Sequence, residues 1–341
     1  MLIRSRAPLR LGLAGGGTDV ESFSNIFGGR VLNVTISMYA HSTIKLTKKY
    51  ISFVAKDLLK KEKYLVKKIY KISTNSGLFL HRETYKYMMK KYNNGKLIPL
   101  EILTWADVPP GSGLGSSSTL IVSMIAAYLE LLNLPIDNYQ IANDAYYIER
   151  KICKKEGGKQ DQFAASFGGI NIFEFIKKKT FIYPVKVKDK IINEFEESLT
   201  LYYNGVSRNS SEIISEQNKE IKKKKLKTIK KMKNIKKESY EFVNSLIKGN
   251  FQELFNCFNR GWLNKIKTSK SITNKAINDI ISYAKKNGAI AAKVSGAGGG
   301  GFIIFFSKPE NKYSLQSKLN LKANQIFNCR LTFRGVEAWK I

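Results

Sequence analysis

The run from Val108 to Leu129, VPPGSGLGSSSTLIVSMIAAYL, sets three glycines and three consecutive serines ahead of an apolar helix. Leu100–Val108 (LEILTWADV) has the β-branched and large apolar content of a strand, which Pro109 and Pro110 end. Ile121, Met124, Ile125, Tyr128, Leu129 and Leu132 then recur at helical spacing, so Ser116, Ser117 and Ser118 fall at the N-cap or in the first turn. A helix N-terminus offers unpaired N–H groups and partial positive charge, and glycines before it let the backbone close on a bulky anion. The chemistry this suits is phosphate binding. No Gly-Lys-Ser/Thr closes the pattern as in a Walker A loop, so another charge must balance the phosphates. Serine hydroxyls can hold a magnesium ion that bridges two of them. Taken alone, the same residues also fit a serine-capped buried helix after a tight turn.

Two further glycine-rich stretches accompany it: APLRLGLAGGGTD (Ala7–Asp19) and KVSGAGGGG (Lys293–Gly301). The last precedes a strand and by itself fits a hairpin turn. Around these stretches, Ile3–Ala14 reads as a strand broken at Gly15, and Val31–Leu46 as a strand or a hairpin. Helices are expected over Gly77–Tyr92, Tyr139–Lys154 and Gln160–Phe167. A boundary in the basic stretch between Phe175 and Glu197 divides the chain into 1–185 and 186–341. Beyond it come a strand at Leu199–Tyr203, two or three long helices, a strand at Phe302–Phe306 and a last one from Cys329 to Trp339. Strands and helices without regular alternation favour α+β in both halves.

At 341 residues the chain has length for two domains, and 43% hydrophobic and 11% aromatic content suit a globular protein. No apolar run has the length of a membrane span and no secretory pattern opens the sequence, so a cytoplasmic protein without membrane partners is expected. Cys153, Cys257 and Cys329 lie far apart in no metal or redox spacing, and His41 and His81 read as structural or surface residues. The net charge of +31 makes nucleic acid the first suspect as partner. The densest run, Lys219–Lys237, holds eleven lysines and one glutamate, yet basic charge is spread over the rest of the chain as well. Leu226, Ile229, Met232 and Ile235 repeat every three residues within it. The run therefore reads as one solvated helix, with a patch for nucleic acid or lipid as the lesser alternative.

Together, in order, the three glycine-rich motifs resemble those of the GHMP kinases, named for galactokinase, homoserine kinase, mevalonate kinase and phosphomevalonate kinase. The resemblance runs from Arg6 to about Gly301. It implies a two-domain α+β kinase with its active site in the cleft between the halves, using ATP and Mg2+. By it, Gly111, Ser112, Gly113, Leu114, Gly115, Ser116, Ser117 and Ser118 form the loop around the ATP phosphates. Ser117 and Glu149, in YYIER, are the implied metal ligands, and Asp161, in GGKQDQ, the catalytic carboxylate. Transfer of a γ-phosphoryl group to a hydroxyl needs alignment, a metal to spread charge and a carboxylate to take the hydroxyl proton. Arg10 is implied beside this carboxylate, stabilising charge on the attacking oxygen.

The acceptor is addressed by the first motif. Gly15-Gly16-Gly17-Thr18-Asp19 stands where galactokinases have Gly-Glu-His-Thr-Asp, which leaves space for a larger or charged sugar. With GKQDQFAASFGGINIFEF and YYNGVSRNSSEI, the chain looks like the D-glycero-D-manno-heptose 7-phosphate kinases, which phosphorylate the anomeric hydroxyl. The implied product is the 1,7-bisphosphate, for nucleotide-activated heptose and surface polysaccharide. A phosphorylated acceptor needs cations, arginine above all. Arg208 is the first choice, helped by Ser210, Ser211 and Lys159, with Gly16, Gly17, Thr18, Asp19, Gly296 and Gly298 completing the acceptor site. Another anomeric sugar kinase, fucokinase-like or acting on a uronic acid, is the alternative, followed by a non-catalytic basic binding protein. Expected partners are ATP and a sugar phosphate, with a homodimer left open.

Overall fold

A computed structural model describes residues 2–72, 77–206, 210–223, 225–323 and 325–341. The strands are β1 (Leu2–Ala14), β2 (Gly29–Leu46), β3 (Tyr50–Ala55), β4 (Lys60–Leu65), β5 (Leu100–Ala106), β6 (Ile170–Ile176), β7 (Lys179–Pro184), β8 (Leu199–Tyr203), β9 (Ala289–Val294), β10 (Phe302–Ser307), β11 (Ile326–Phe327) and β12 (Glu337–Lys340). The α-helices are α1 (Glu21–Phe27), α2 (Phe79–Tyr92), α3 (Ser116–Leu131), α4 (Asn138–Tyr146), α5 (Gln160–Phe167), α6 (Asp189–Ser198), α7 (Ser210–Lys222), α8 (Leu226–Lys248), α9 (Phe251–Lys265), α10 (Lys275–Lys286) and α11 (Pro309–Ala323). The fold is α+β, as the sequence predicts.

β2 organises the first half. It is one 18-residue strand, pairing β1 along one edge; on the other, Ala40–Leu46 pairs β5 and Gly29–Val34 pairs β6. The first sheet runs β12-β1-β2-β5-β3-β4, with β6 and β7 continuing from β2; the second runs β11-β8-β10-β9. The expected division after residue 185 falls just past β7. The chain's end does not remain in the second half, however: β12 pairs β1, with Arg6 opposite Glu337. Leu9, Leu11 and Leu13 alternate along β1 and are buried with Phe302, Ile304, Phe306, Phe255 and Phe258, giving the halves a common core. The β1–β2 register shifts between Pro8 and Arg10, an irregularity of the kind that tolerates proline and re-aims a neighbouring side chain.

The expected single helix over Lys219–Lys237 is instead divided between α7 and α8. Its apolar residues explain the arrangement. Ile221 from α7 and Met232 and Ile235 from α8 are buried against Val20 and Phe23, whereas Leu226 is 84% exposed at the start of α8. Lys236 Nζ donates to the Phe27 carbonyl at 2.9 Å, and Lys233 lies over the Phe27 ring. The run thus clamps α1, which follows the first glycine loop. Among the described residues, no helix is long and apolar enough to cross a membrane.

Candidate active site

The three glycine loops meet around one cavity of about 350 Å³. Gly115 caps α3 in the left-handed conformation at φ 80°, no side chain caps the helix, and the three serines form its first turn. Free N–H groups therefore point from the helix end, where an anion is favoured. Thr119 Oγ1 donates back to the Gly115 carbonyl at 3.0 Å and stays within the helix. Gly113 and Gly296 explain why two loops need glycine. A Cβ on Gly113 would sit 2.8 Å from the Ser295 carbonyl oxygen, and one on Gly296 2.6 Å from the Gly113 oxygen; both have positive φ. The third motif is indeed a hairpin connection, between β9 and β10, but one locked against the second loop.

Glu149 lies on a π-helical turn, Tyr147–Ile152, in place of the continuous α-helix expected over Tyr139–Lys154. Such turns recur at functional sites because they rotate a side chain off the regular face. The Glu149 carboxylate accepts from Ser117 Oγ at 3.0 Å, Ser118 Oγ at 2.5 Å and Gln162 Nε2 at 2.7 Å, with Arg150 at 3.4 Å. Burial pushes this carboxyl up, but Arg150, Lys155 and the two serine hydroxyls outweigh it and hold it below the ordinary glutamate value. Lys155 Nζ donates to Ser117 Oγ at 3.2 Å. It supplies a cation at the serine turn that the sequence motif lacked.

Arg10, on β1 just past the register shift, is 3% exposed. Its Nε and Nη2 lie 2.8 and 2.7 Å from Asp161 Oδ1, and Nη1 donates to the Gly113 carbonyl at 2.9 Å. Asp161, in the first turn of α5, lies against the phosphate loop: a Cβ on Gly115 would stand 3.1 Å from its Cγ. Asp19 accepts from Gln160 N and Nε2, and burial, then the charge of Asp161, raises its pKa.

Other expected residues divide sharply. Gly111, Gly113, Gly115, Ser116, Ser117, Ser118, Gly17, Asp19, Ser210, Ser211 and Gly296 line the cavity with Arg10, Glu149 and Asp161. Ser112 and Leu114 are buried beneath the loop and act through their carbonyls, which accept from Phe302 N and Arg10 N. Thr18 is a correction: fully buried, its hydroxyl is engaged with the Gly15 and Arg30 backbone and closes the first loop on β2. Lys159 is another, because its Nζ donates to the Lys178 carbonyl and lies over the Tyr146 ring, outside the cavity wall. Gly298 packs on the Ile272 carbonyl, and Gly16 lies behind the wall near Lys265. Arg208 lies outside the described residues.

The model of the GHMP kinases N terminal domain matches residues 79–169, and that of the GHMP kinases C terminal domain residues 242–325. The chain is 37% identical over 341 residues to a D-glycero-alpha-D-manno-heptose 7-phosphate kinase of Campylobacter jejuni, covering 99% of each. The chain belongs to the GHMP kinases. A crystal structure of a D-glycero-D-manno-heptose 1-phosphate kinase from Bacteroides thetaiotaomicron is similar to this GHMP kinase with TM-score 0.82 and 34% identity, over 99% of both chains. A Lactococcus lactis galactokinase complexed with galactose shares the fold at TM-score 0.76 and 17% identity, over 98% of this chain and 95% of that one.

Among the described residues of this GHMP kinase, no three or more His, Cys, Asp or Glu are grouped to hold a metal. One carboxylate and one hydroxyl at the wall, Glu149 and Ser117, nevertheless fit a magnesium ion whose remaining ligands are water and phosphate oxygens. Two groups of wall residues escaped the sequence reading. Asp57, Leu58, Leu80 and Leu120 line an apolar portion, with Asp57 Oδ1 buried and without a hydrogen-bond partner among the described residues. Lys265, the last residue of α9, is 8% exposed and donates to the Gly296 carbonyl. Neither belongs to a glycine motif or a regular charge pattern, so only the fold brings them in.

Proposed function

We infer that the protein is an ATP-dependent kinase that transfers the γ-phosphoryl group to the anomeric hydroxyl of D-glycero-D-manno-heptose 7-phosphate. The product is the 1,7-bisphosphate, a precursor of nucleotide-activated heptose for surface polysaccharide. Support comes chiefly from the Arg10–Asp161 pair, which lies against the N-terminus of α3 in the same cavity as Ser117 and Glu149. The 37% identity to the Campylobacter jejuni kinase supports the choice of acceptor.

In this reading Asp161 accepts the proton of the anomeric hydroxyl as its oxygen bonds to the γ-phosphorus. The bond from that phosphorus to the β–γ bridging oxygen breaks and ADP leaves with the electron pair. Arg10 stabilises charge on the attacking oxygen and holds Asp161 in register with Gly113. The first turn of α3 and Lys155 hold the triphosphate, and the apolar wall around Leu58 and Leu80 takes the base. Ser117 and Glu149 would hold magnesium, which would spread the negative charge of the phosphates. The acceptor lies between Asp161, Asp19 and Gly17.

The test is ADP release with magnesium and ATP on D-glycero-D-manno-heptose 7-phosphate, unphosphorylated heptose, fucose, galactose and mevalonate, with Asp161→Asn as control. Turnover confined to the phosphorylated heptose, with a product whose new phosphorus couples to the anomeric proton in NMR, is the expected result. Turnover of another sugar alone overturns the acceptor, and new phosphate elsewhere on the heptose overturns the position.

A further inference from the structure

Four cationic side chains line the cavity among the described residues: Arg10, Arg150, Lys155 and Lys265. Three are already engaged. Arg10 pairs with Asp161, Arg150 with Glu149, and Lys155 donates to Ser117. Lys265 differs. It is nearly buried, has no carboxylate within ion-pair distance among the described residues, and its Nζ makes one hydrogen bond there, to the Gly296 carbonyl. An ammonium carries three donors, so two N–H groups remain. Burying a cation without a partner is costly, and a cleft residue that bears this cost suits a ligand that supplies the missing charge.

The surroundings identify which end of the cavity it serves. A Cβ on Gly16 would lie 3.9 Å from Nζ, so the ammonium stands beside the first glycine loop as well as the third. The adjoining turn is fastened to α7, where Gln217 Nε2 donates to Thr268 Oγ1 at 3.0 Å. Lys155 and Arg150 contact Ser117 and Glu149 at the serine turn, whereas Lys265 stands between the first and third glycine loops. It therefore faces the acceptor and not the nucleotide.

We propose that Lys265 binds the phosphate monoester carried by the acceptor and makes the cleft select a phosphorylated sugar over its neutral counterpart. This rests on the sugar-kinase reading above. The strength of a hydrogen bond to a charged group corresponds to a selectivity of about 10- to 100-fold.

The experiment compares kcat/KM for D-glycero-D-manno-heptose 7-phosphate and for unphosphorylated heptose in wild type, Lys265→Met and Lys265→Arg. Calorimetric binding of the phosphorylated heptose to each protein, and thermal melting as a check on folding, accompany it. The expected result is a preference for the phosphorylated sugar that shrinks about 10- to 100-fold in Lys265→Met through a raised KM, is partly kept in Lys265→Arg, and is matched by weaker binding. A fall in kcat of equal size on both sugars overturns the proposal and moves Lys265 to the reacting centre. Binding by wild type that Lys265→Met retains overturns the proposal alone, even without turnover. Wild type that neither binds nor phosphorylates the heptose phosphate overturns the acceptor reading and this proposal with it.

Discussion

Arg10 and Asp161, 151 residues apart in sequence, are joined by a 2.8 Å hydrogen bond from Nε to Oδ1, and the same guanidinium holds the Gly113 carbonyl. One side chain thus ties the candidate base to the second glycine loop. Removing one partner of a buried pair costs stability whatever its role, so activity measured on folded protein is what separates a catalytic pair from a structural one. Here Asp161→Asn is expected to lower kcat by about 10²- to 10⁴-fold with little change in KM for ATP. Arg10→Ala should come close to it, and the double variant should be little worse than either, because the residues act as a unit. Steady-state kinetics of the three variants check this; additive losses would separate their roles.

Glu149 gives a prediction on stability as well as activity. Its pKa is depressed in the folded protein, so its contribution is present above the ordinary glutamate value and is lost as pH falls through the folded value. Glu149→Gln should flatten the acid side of the stability profile below the ordinary glutamate value of 4.5, measured by urea unfolding. The same variant should need more magnesium for half-maximal rate. Unchanged magnesium dependence would argue for a purely structural carboxylate.

The phosphate loop was legible because its residues are contiguous and each type has a backbone reason to be there. The strand before it and the helix after it follow from composition and period alone. Arg10, Glu149 and Asp161 were reached through resemblance, since nothing in their local sequence distinguishes them from surface charges. Thr18 and Lys159 show the limit of that route: a hydroxyl can be spent on closing its own loop, and a lysine can turn to an aromatic ring and a carbonyl. β4 and β7 were missed because both are largely exposed edge strands, β4 carrying three lysines in six residues; β3 lies buried between β4 and β5 and was missed although YISFVA has strand composition. The break between α7 and α8 was masked by the lysine run that spans it, since the apolar repeat from Leu226 to Ile235 lies wholly within α8.

Gly113 gives a test of the loop contact that is separate from chemistry. Its φ of 85° and the 2.8 Å approach of the Ser295 oxygen to a built Cβ both penalise alanine. Gly113→Ala should destabilise by about 1–3 kcal/mol and weaken ATP binding, read by thermal melting and by nucleotide titration. Gly261, inside α9 with open space around its Cβ position, is the control. Gly261→Ala should be neutral or stabilising by up to about 1 kcal/mol. Equal losses in both variants would rule out the loop contact as the cause.

Lys265 should cost stability where it serves binding. Burial, then the charge of Arg10, lowers its pKa from 10.5 to about 8, against the opposing effects of Asp19 and Asp161; Lys293, buried beside it, is repelled in turn. The folded protein therefore gives up this proton more readily than the unfolded chain. The burden is full below pH 8 and fades as pH rises toward 10.5, so this group makes stability increase over that window. Lys265→Met should stabilise the ligand-free protein at pH 7 by up to about 3 kcal/mol, with the gain shrinking above pH 8. Acceptor selection should move the other way: wild-type kcat/KM for the phosphorylated heptose should decline as pH passes about 8, and Lys265→Met should lack that limb. Unfolding curves and pH–rate profiles of the two proteins read both effects. A variant less stable at pH 7 than wild type would mean that the bond to Gly296 outweighs the cost of burying the charge.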